Sequence, residues 1–216
     1  MRRRPSRTLA FKVVVLLLGG LMFYMGNYLG HIYQRERLEG LSATVLPEPR
    51  PTQPFNLVDQ NGKPFTADDL KGHWNFLFFG YTQCPDVCPT ALAQLSQVYN
   101  RLAERPELQK RSRAVFISVD PARDTPAKLK QFVGYFNPEF LGVTGNDAEI
   151  AKLTHQFGIF VKRHAPAPGS KDYAVDHTAV TTLVDPEGRT VAIFSSISDP
   201  ARVAQDFFKI VDYIQG

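Results

Sequence analysis

The sequence predicts an α/β sandwich with a mixed central sheet flanked by helices, on three observations. Short apolar runs of strand character alternate with segments of helical periodicity over most of the chain. A late pair of strand-like runs, near His177 to Val184 and Thr190 to Phe194, is joined by Asp185-Pro186-Glu187-Gly188, which mixes strand directions. The aromatic run Trp74-Asn75-Phe76-Leu77-Phe78-Phe79 ends in Gly80. It is followed by Leu92, Leu95, Val98, Tyr99 and Leu102 at helical spacing, so a buried strand feeds directly into a helix.

The elements follow in order from local chemistry. Leu9 to Gly30 is almost wholly apolar, and Val13 to Met25 carries no charge. Arg2, Arg3, Arg4, Arg7 and Lys12 precede or open it, and no acid occurs in the first thirty residues. A membrane helix needs about 20 apolar residues, and no small-x-small cleavage site follows, so the reading is an uncleaved transmembrane anchor. The arginines place residues 1–8 in the cytoplasm, 9–30 across the membrane, and the bulk of the chain on the far side. A Pro-rich tether is expected over 31–54, ending in Pro47, Pro49, Pro51 and Pro54. The remainder, 55–216, forms one domain of ~160 residues, enough to bury a core without staples.

Within that domain, Asn61-Gly62 marks a hairpin between Phe55-Val58 and Lys63-Thr66. Arg113 to Val119 reads as a second buried strand. Thr125 then Pro126 reads as a helix cap and first helical residue, opening a helix to about Phe136. Leu141 to Thr144 is a short strand, Asp147 to Phe157 a helix and Ile159 to Arg163 a strand. A polar loop from His164 to Asp172 precedes the late hairpin, and a last helix spans about Pro200 to Ile214.

Charge excludes one class of partner. The pI of 9.1 comes from the N-terminus: five of the 25 basic residues lie in the first twelve positions, leaving 20 against 21 acids. The exported part is close to neutral, which argues against nucleic acid.

Cys84 and Cys88 are the only cysteines, and they fall between the central strand and its helix. So few in an exported domain leaves the pair free for chemistry rather than for bracing the fold. A cysteine motif at that junction makes the expected fold thioredoxin-like, although C-P-D-V-C is not the C-x-x-C of thioredoxin-type enzymes. If both residues are helical they share one face, with Cβ atoms roughly 5–6 Å apart. Two sulfurs so placed can bind one metal ion at about 2.3 Å each, whereas a disulfide wants Cβ atoms at ~3.8 Å. The helix start also favours the thiolate over the thiol.

Two thiolates suit soft metals, Cu(I) above all, and leave the coordination incomplete. His31, His73, His155, His164 and His177 are available. His177 stands out, since Asp176-His177-Thr178 follows a flexible loop and leads into a hairpin, but position alone does not decide among them.

The series FFGYTQCPDVCP, ISVDPARDTPAKL, VDHT and LVDPEGR resembles the Sco/SenC family of copper chaperones for cytochrome c oxidase, from about Pro54 to Ile214. The resemblance implies a thioredoxin-like domain that binds copper, Cu(I) preferred and Cu(II) accepted with adjustment, through Cys84, Cys88 and His177. It implies delivery to the dinuclear copper site of an oxidase subunit. The basic segment before the apolar run is too short for a typical transit peptide, so the expected location is a bacterial inner membrane with the domain facing the periplasm. The alternative is a thiol–disulfide oxidoreductase in which Cys84 and Cys88 reduce the acceptor's cysteines. Where Thr181 or Thr182 stands, many relatives carry an apolar residue. A peroxidase reading lacks its threonine, because Tyr81 and Pro85 stand three residues before Cys84 and Cys88. Asp120 and Asp124 are expected to shape a loop and a cap, with docking of the acceptor as the alternative, Asp176 to be an exposed acid or to orient a ligand, and Trp74, Phe79 and Tyr81 to be core or rim aromatics.

Overall fold

The computed structural model describes residues 7–38, 40–166 and 172–215. In chain order the elements are α1 (Arg7–Leu38), β1 (Ala43–Pro51), β2 (Asn56–Asp59), β3 (Pro64–Thr66), β4 (Trp74–Gly80), α2 (Val87–Arg101), α3 (Pro106–Lys110) and β5 (Ser112–Ser118). They continue with α4 (Pro126–Phe136), β6 (Leu141–Thr144), α5 (Asp147–Gln156), β7 (Val161–Arg163), β8 (Val175–His177), β9 (Thr181–Val184), β10 (Arg189–Phe194) and α6 (Pro200–Gln215). The chain divides into two units, and the sheets belong to the one spanning Leu41–Phe208.

The main sheet has eight strands in the order β1-β10-β9-β4-β5-β6-β2-β3. β4, β5 and β6 run parallel, and β9 joins the other side of β4 antiparallel. β4 is central for a reason visible in its residues: all seven positions are buried, as a largely apolar strand covered on both faces must be, and its one polar side chain, Asn75, donates to the Leu70 and His73 carbonyls. Trp74 packs edge-on to Phe207 at 5.5 Å, and Phe78 stacks near Phe116 at 6.3 Å. A second sheet of only β7 and β8, antiparallel, stands apart from the first.

Local signals are realised where chemistry is local. Thr125 accepts a hydrogen bond from the Lys128 amide with Pro126 at the first helical position. Asn146 does the same for Glu149 at the start of α5. Gly62 adopts φ 77° in the turn between β2 and β3, a conformation that costs glycine nothing.

Three expectations are corrected. The stretch 31–54 is not a tether: α1 runs to Leu38, and Ala43–Pro51 pairs antiparallel with β10. Prolines tolerate this because β1 is an edge strand whose register shifts between Val45 and Arg50, around Pro47 and Pro49. The transmembrane span expected over 9–30 has no counterpart among the described residues, where no helix is long and apolar enough to cross a membrane. Gly19, Gly20, Gly26 and Asn27 dilute the apolar run, and the helix continues through Arg35, Glu36 and Arg37. The late hairpin is also shorter than expected, since His177 ends β8 in the small sheet and β9 begins at Thr181. Residues 1–6 of the basic segment and 167–171 of the polar loop lie outside the described residues.

Candidate metal centre

β4 delivers the chain to Gly80, and Tyr81 follows, buried. A turn through Asp86 carries Cys84, whose amide donates to the Tyr81 carbonyl. Cys88 lies in the first turn of α2 and has no exposed surface, while Cys84 is half-buried. The two are therefore not on one helical face. Cys84 sits ahead of the helix, and the turn folds it back so that the Cys88 amide approaches its Sγ at 3.4 Å. Gly80 makes room for this. A Cβ there would stand 2.7 Å from Cys88 Sγ and 2.8 Å from the Phe116 ring.

His177 arrives from the other sheet. Its Nε2 is 3.5 Å from Cys88 Sγ, and its Nδ1 is 3.3 Å from the Thr178 carbonyl oxygen. A neutral ring donating Nδ1–H to that carbonyl turns the Nε2 lone pair toward the sulfurs. Tyr81 and Phe78 hold the imidazole edge-on, with ring centroids at 5.9 and 6.2 Å. The donor atoms of Cys84, Cys88 and His177 all lie within 4.8 Å of one another, the one such group of three among the described residues. His73 contacts the Lys71 carbonyl, and His164 pairs with Asp176 at 2.7 Å on the surface. His155 is exposed on α5, and the side chain of His31 lies outside the description.

Burial sets the charge state. It pushes the Cys88 thiol well above its ordinary range, and the neighbouring Cys84 sulfur adds to the shift. The pull of the helix start toward thiolate is outweighed by this desolvation. Burial also holds the His177 imidazole below its usual value, against smaller upward contributions from the Thr178 carbonyl and Asp176. Without a cation, the site keeps Cys88 as a thiol and His177 neutral at pH 7.

A family model described as SCO1/SenC matches residues 44–212. The chain belongs to the SCO1/SenC family. It is 37% identical over 155 residues to the SCO2-like protein of Rickettsia felis, spanning 70% of this chain and 72% of that one. With a putative copper-binding protein of Stutzerimonas stutzeri it shares 39% over 153 residues, again 70% and 72% of the two chains. Among solved structures it resembles Bradyrhizobium japonicum ScoI with copper bound, at 41% identity and TM-score 0.66, covering 76% of this chain and 99% of that one. Yeast Sco1 with copper bound matches at 32% and TM-score 0.69, over 78% and 90%. The mixed sheet with flanking helices is thus the thioredoxin-like fold of Sco structures.

In this Sco domain the cysteine turn is braced by side chains whose role the sequence reading understated. Asp124, buried, accepts from the Thr82 amide at 3.0 Å, the Thr82 hydroxyl at 2.6 Å and the Ser118 hydroxyl at 2.6 Å. Asp120, also buried, receives Arg123 Nε and the Tyr173 hydroxyl. Both acids follow β5, whose parallel neighbour β4 ends beside them. Loops after adjacent parallel strands meet at one end of a sheet, and that topological signal could have found them. Asp176 is the exposed acid of the two readings, paired with His164. Thr181 lies buried opposite Phe78 in the sheet, so behind the imidazole a small residue supports the aromatic. Trp74, Phe79 and Tyr81 are core residues.

Proposed function

We propose that this chain is a copper chaperone. It holds copper through Cys84 Sγ, Cys88 Sγ and His177 Nε2 and passes it by ligand exchange to the dinuclear copper site of cytochrome c oxidase. The observation that carries the reading is the convergence of three soft or borderline donors within 4.8 Å. Two sulfurs at about 2.3 Å and a nitrogen at about 2.0 Å from a shared centre in a trigonal plane stand about 3.7–4.0 Å apart, so the set closes on an ion with small side-chain shifts. Two thiolates and an imidazole favour Cu(I) and accept Cu(II) with adjustment. Loading must displace the thiol protons, so affinity falls as pH falls. The copper-bound structures of relatives support the choice of metal.

The test is copper stoichiometry and affinity of the reduced chain, wild type against His177→Ala and Cys84→Ser. His177→Ala is expected to lose tight binding while keeping dithiol exchange. Retained affinity would sink the three-donor reading.

A second reading draws on the asymmetry of the cysteines. Half-exposed Cys84 can attack an acceptor disulfide as thiolate, and Cys88 beside it can then displace the acceptor sulfur. The acceptor leaves as a dithiol and this chain keeps a Cys84–Cys88 disulfide. Such exchange would survive His177→Ala, which separates the two readings.

We propose further that α1, without crossing, holds the chain at the surface of a bacterial inner membrane on the periplasmic side. The basic residues at its start and the exposed side chains of Leu16, Leu17, Met22 and Phe23 support this. Co-sedimentation of the full chain with vesicles containing anionic lipid is the expected result, and recovery in the supernatant overturns it.

A further inference from the structure

The small sheet that presents His177 packs through buried Val175 and the His177 ring, and two arginines tie it to the rest of the domain by polar contacts. Arg163, on β7, donates to the Val119 carbonyl at 2.8 Å and pairs with Asp147 at 2.7 Å. Arg123 does more. Its Nη1 reaches the Tyr173 carbonyl at 2.9 Å and the Gln83 side chain at 3.1 Å. Gln83 is the neighbour of Cys84, and Tyr173 stands two residues before β8, the strand that ends in His177. The guanidinium carbon lies 3.6 Å from the centroid of Tyr173 and 5.6 Å from that of Tyr81. Tyr81 is in turn edge-on to His177. Beneath this stack, buried Asp120 takes Arg123 Nε and, at 2.6 Å, the Tyr173 hydroxyl.

We propose that Arg123, with Asp120 and Tyr173, is a clasp that sets how long His177 stays over the cysteines, and so governs retention and release of the metal. Three properties make it a clasp rather than ordinary packing. It joins the segment carrying one sulfur to the segment carrying the imidazole, which are otherwise on separate sheets. Its hold on Tyr173 is threefold, on the carbonyl, the ring and, through Asp120, the hydroxyl, so these contacts part together when Tyr173 lifts. It is also incompletely satisfied: Arg123 Nη2 is buried with no hydrogen-bond partner among the described residues. A buried donor left unpaired lowers the cost of opening, because water regains it when the clasp parts. Arg123 and Tyr173 touch no donor atom; they are positioning residues. The effect on the metal rests on the copper reading above, while the effect on the imidazole does not.

The test uses the full chain, reduced, in wild-type form and as Arg123→Met, Arg123→Lys, Tyr173→Phe and Arg189→Met. Arg189 forms the comparable ion pair with buried Asp185 on the turn before β10, so its loss reports structure alone. Two quantities are read. One is the proton resonance of the His177 ring in metal-free protein, displaced in the wild type by the edge-on Tyr81 and Phe78. The other is the rate at which preloaded Cu(I) passes to a bathocuproine chelator.

Arg123→Met is expected to move the His177 resonance toward its value in an unstructured peptide. It should also speed copper loss about 10- to 100-fold, the range for groups that orient metal ligands. Arg123→Lys should fall between, because a point charge keeps the Asp120 pair and loses the fork. Tyr173→Phe, which removes one hydroxyl and keeps the test standing should Arg123→Met fail to fold, should shift both quantities in the same direction by less. Arg189→Met should lower the unfolding midpoint and change neither. In a His177→Ala background Arg123→Met should add no acceleration. An unmoved His177 resonance in Arg123→Met or Tyr173→Phe overturns the proposal, as does full acceleration persisting without His177. Should the wild type take up no Cu(I), the copper reading fails, and the resonance still decides the clasp.

Discussion

At the scale of single residues, the cysteine site is shaped as much by an absence as by its donors. Gly80 has no special backbone angle; it is required because Cys88 Sγ and the Phe116 ring fill the place of a side chain. Gly80→Ala must push aside either a fully buried sulfur or a fully buried ring. We expect a loss of about 1–3 kcal/mol in denaturant unfolding of the metal-free protein, the usual cost of overfilling a core. Copper affinity should fall with it, since the displaced atom is a proposed donor. The sequence shows Gly80 only as the end of a strand. Which atoms crowd it depends on the helix crossing above and on β5 alongside, and neither is encoded nearby.

At the scale of elements, capping and turn chemistry were legible because their partners lie within a few residues. Thr125-Pro126 and Asn61-Gly62 behave as their local bonding requires. The same reading passed over β1, whose prolines suggested a tether, because its partner β10 lies far along the chain. Elements also carry flaws that sequence cannot show. Thr144 ends β6 with a buried hydroxyl that has no partner among the described residues. Replacing an unsatisfied buried polar atom by a methyl removes a desolvation cost and keeps the shape. Thr144→Val is therefore expected to raise the unfolding free energy by about 1 kcal/mol. An unchanged or lowered value in urea titration would show that the hydroxyl does find a partner.

At the scale of the whole molecule, the folded unit begins earlier than composition implies. Leu41–Phe208 forms one unit, β1 covers the edge of β10, and Ser42 donates amide and hydroxyl to Asp206 at 2.7 and 2.6 Å. A chain starting at Leu41 should match the stability of the Sco domain in the full chain. One starting at Phe55 should lose about 2–4 kcal/mol from hydrogen bonds alone and self-associate through the bared edge. Denaturant midpoints and gel filtration of the two check this; equal behaviour would mean that β1 is ornamental. The gathering of Cys84, Cys88 and His177 was legible only through the motif resemblance, since 89 residues separate Cys88 from His177. The Asp120–Tyr173 contact spans 53 residues and had no such aid.

Burial makes the two sulfurs unequal, since Cys88 has no exposed surface and Cys84 is partly open to solvent. A thiol-directed reagent from outside would therefore meet Cys84 first. Were copper held here as proposed, an acceptor's thiolate would compete first for the place of Cys84, and the inner sulfur would be the last donor to be exchanged.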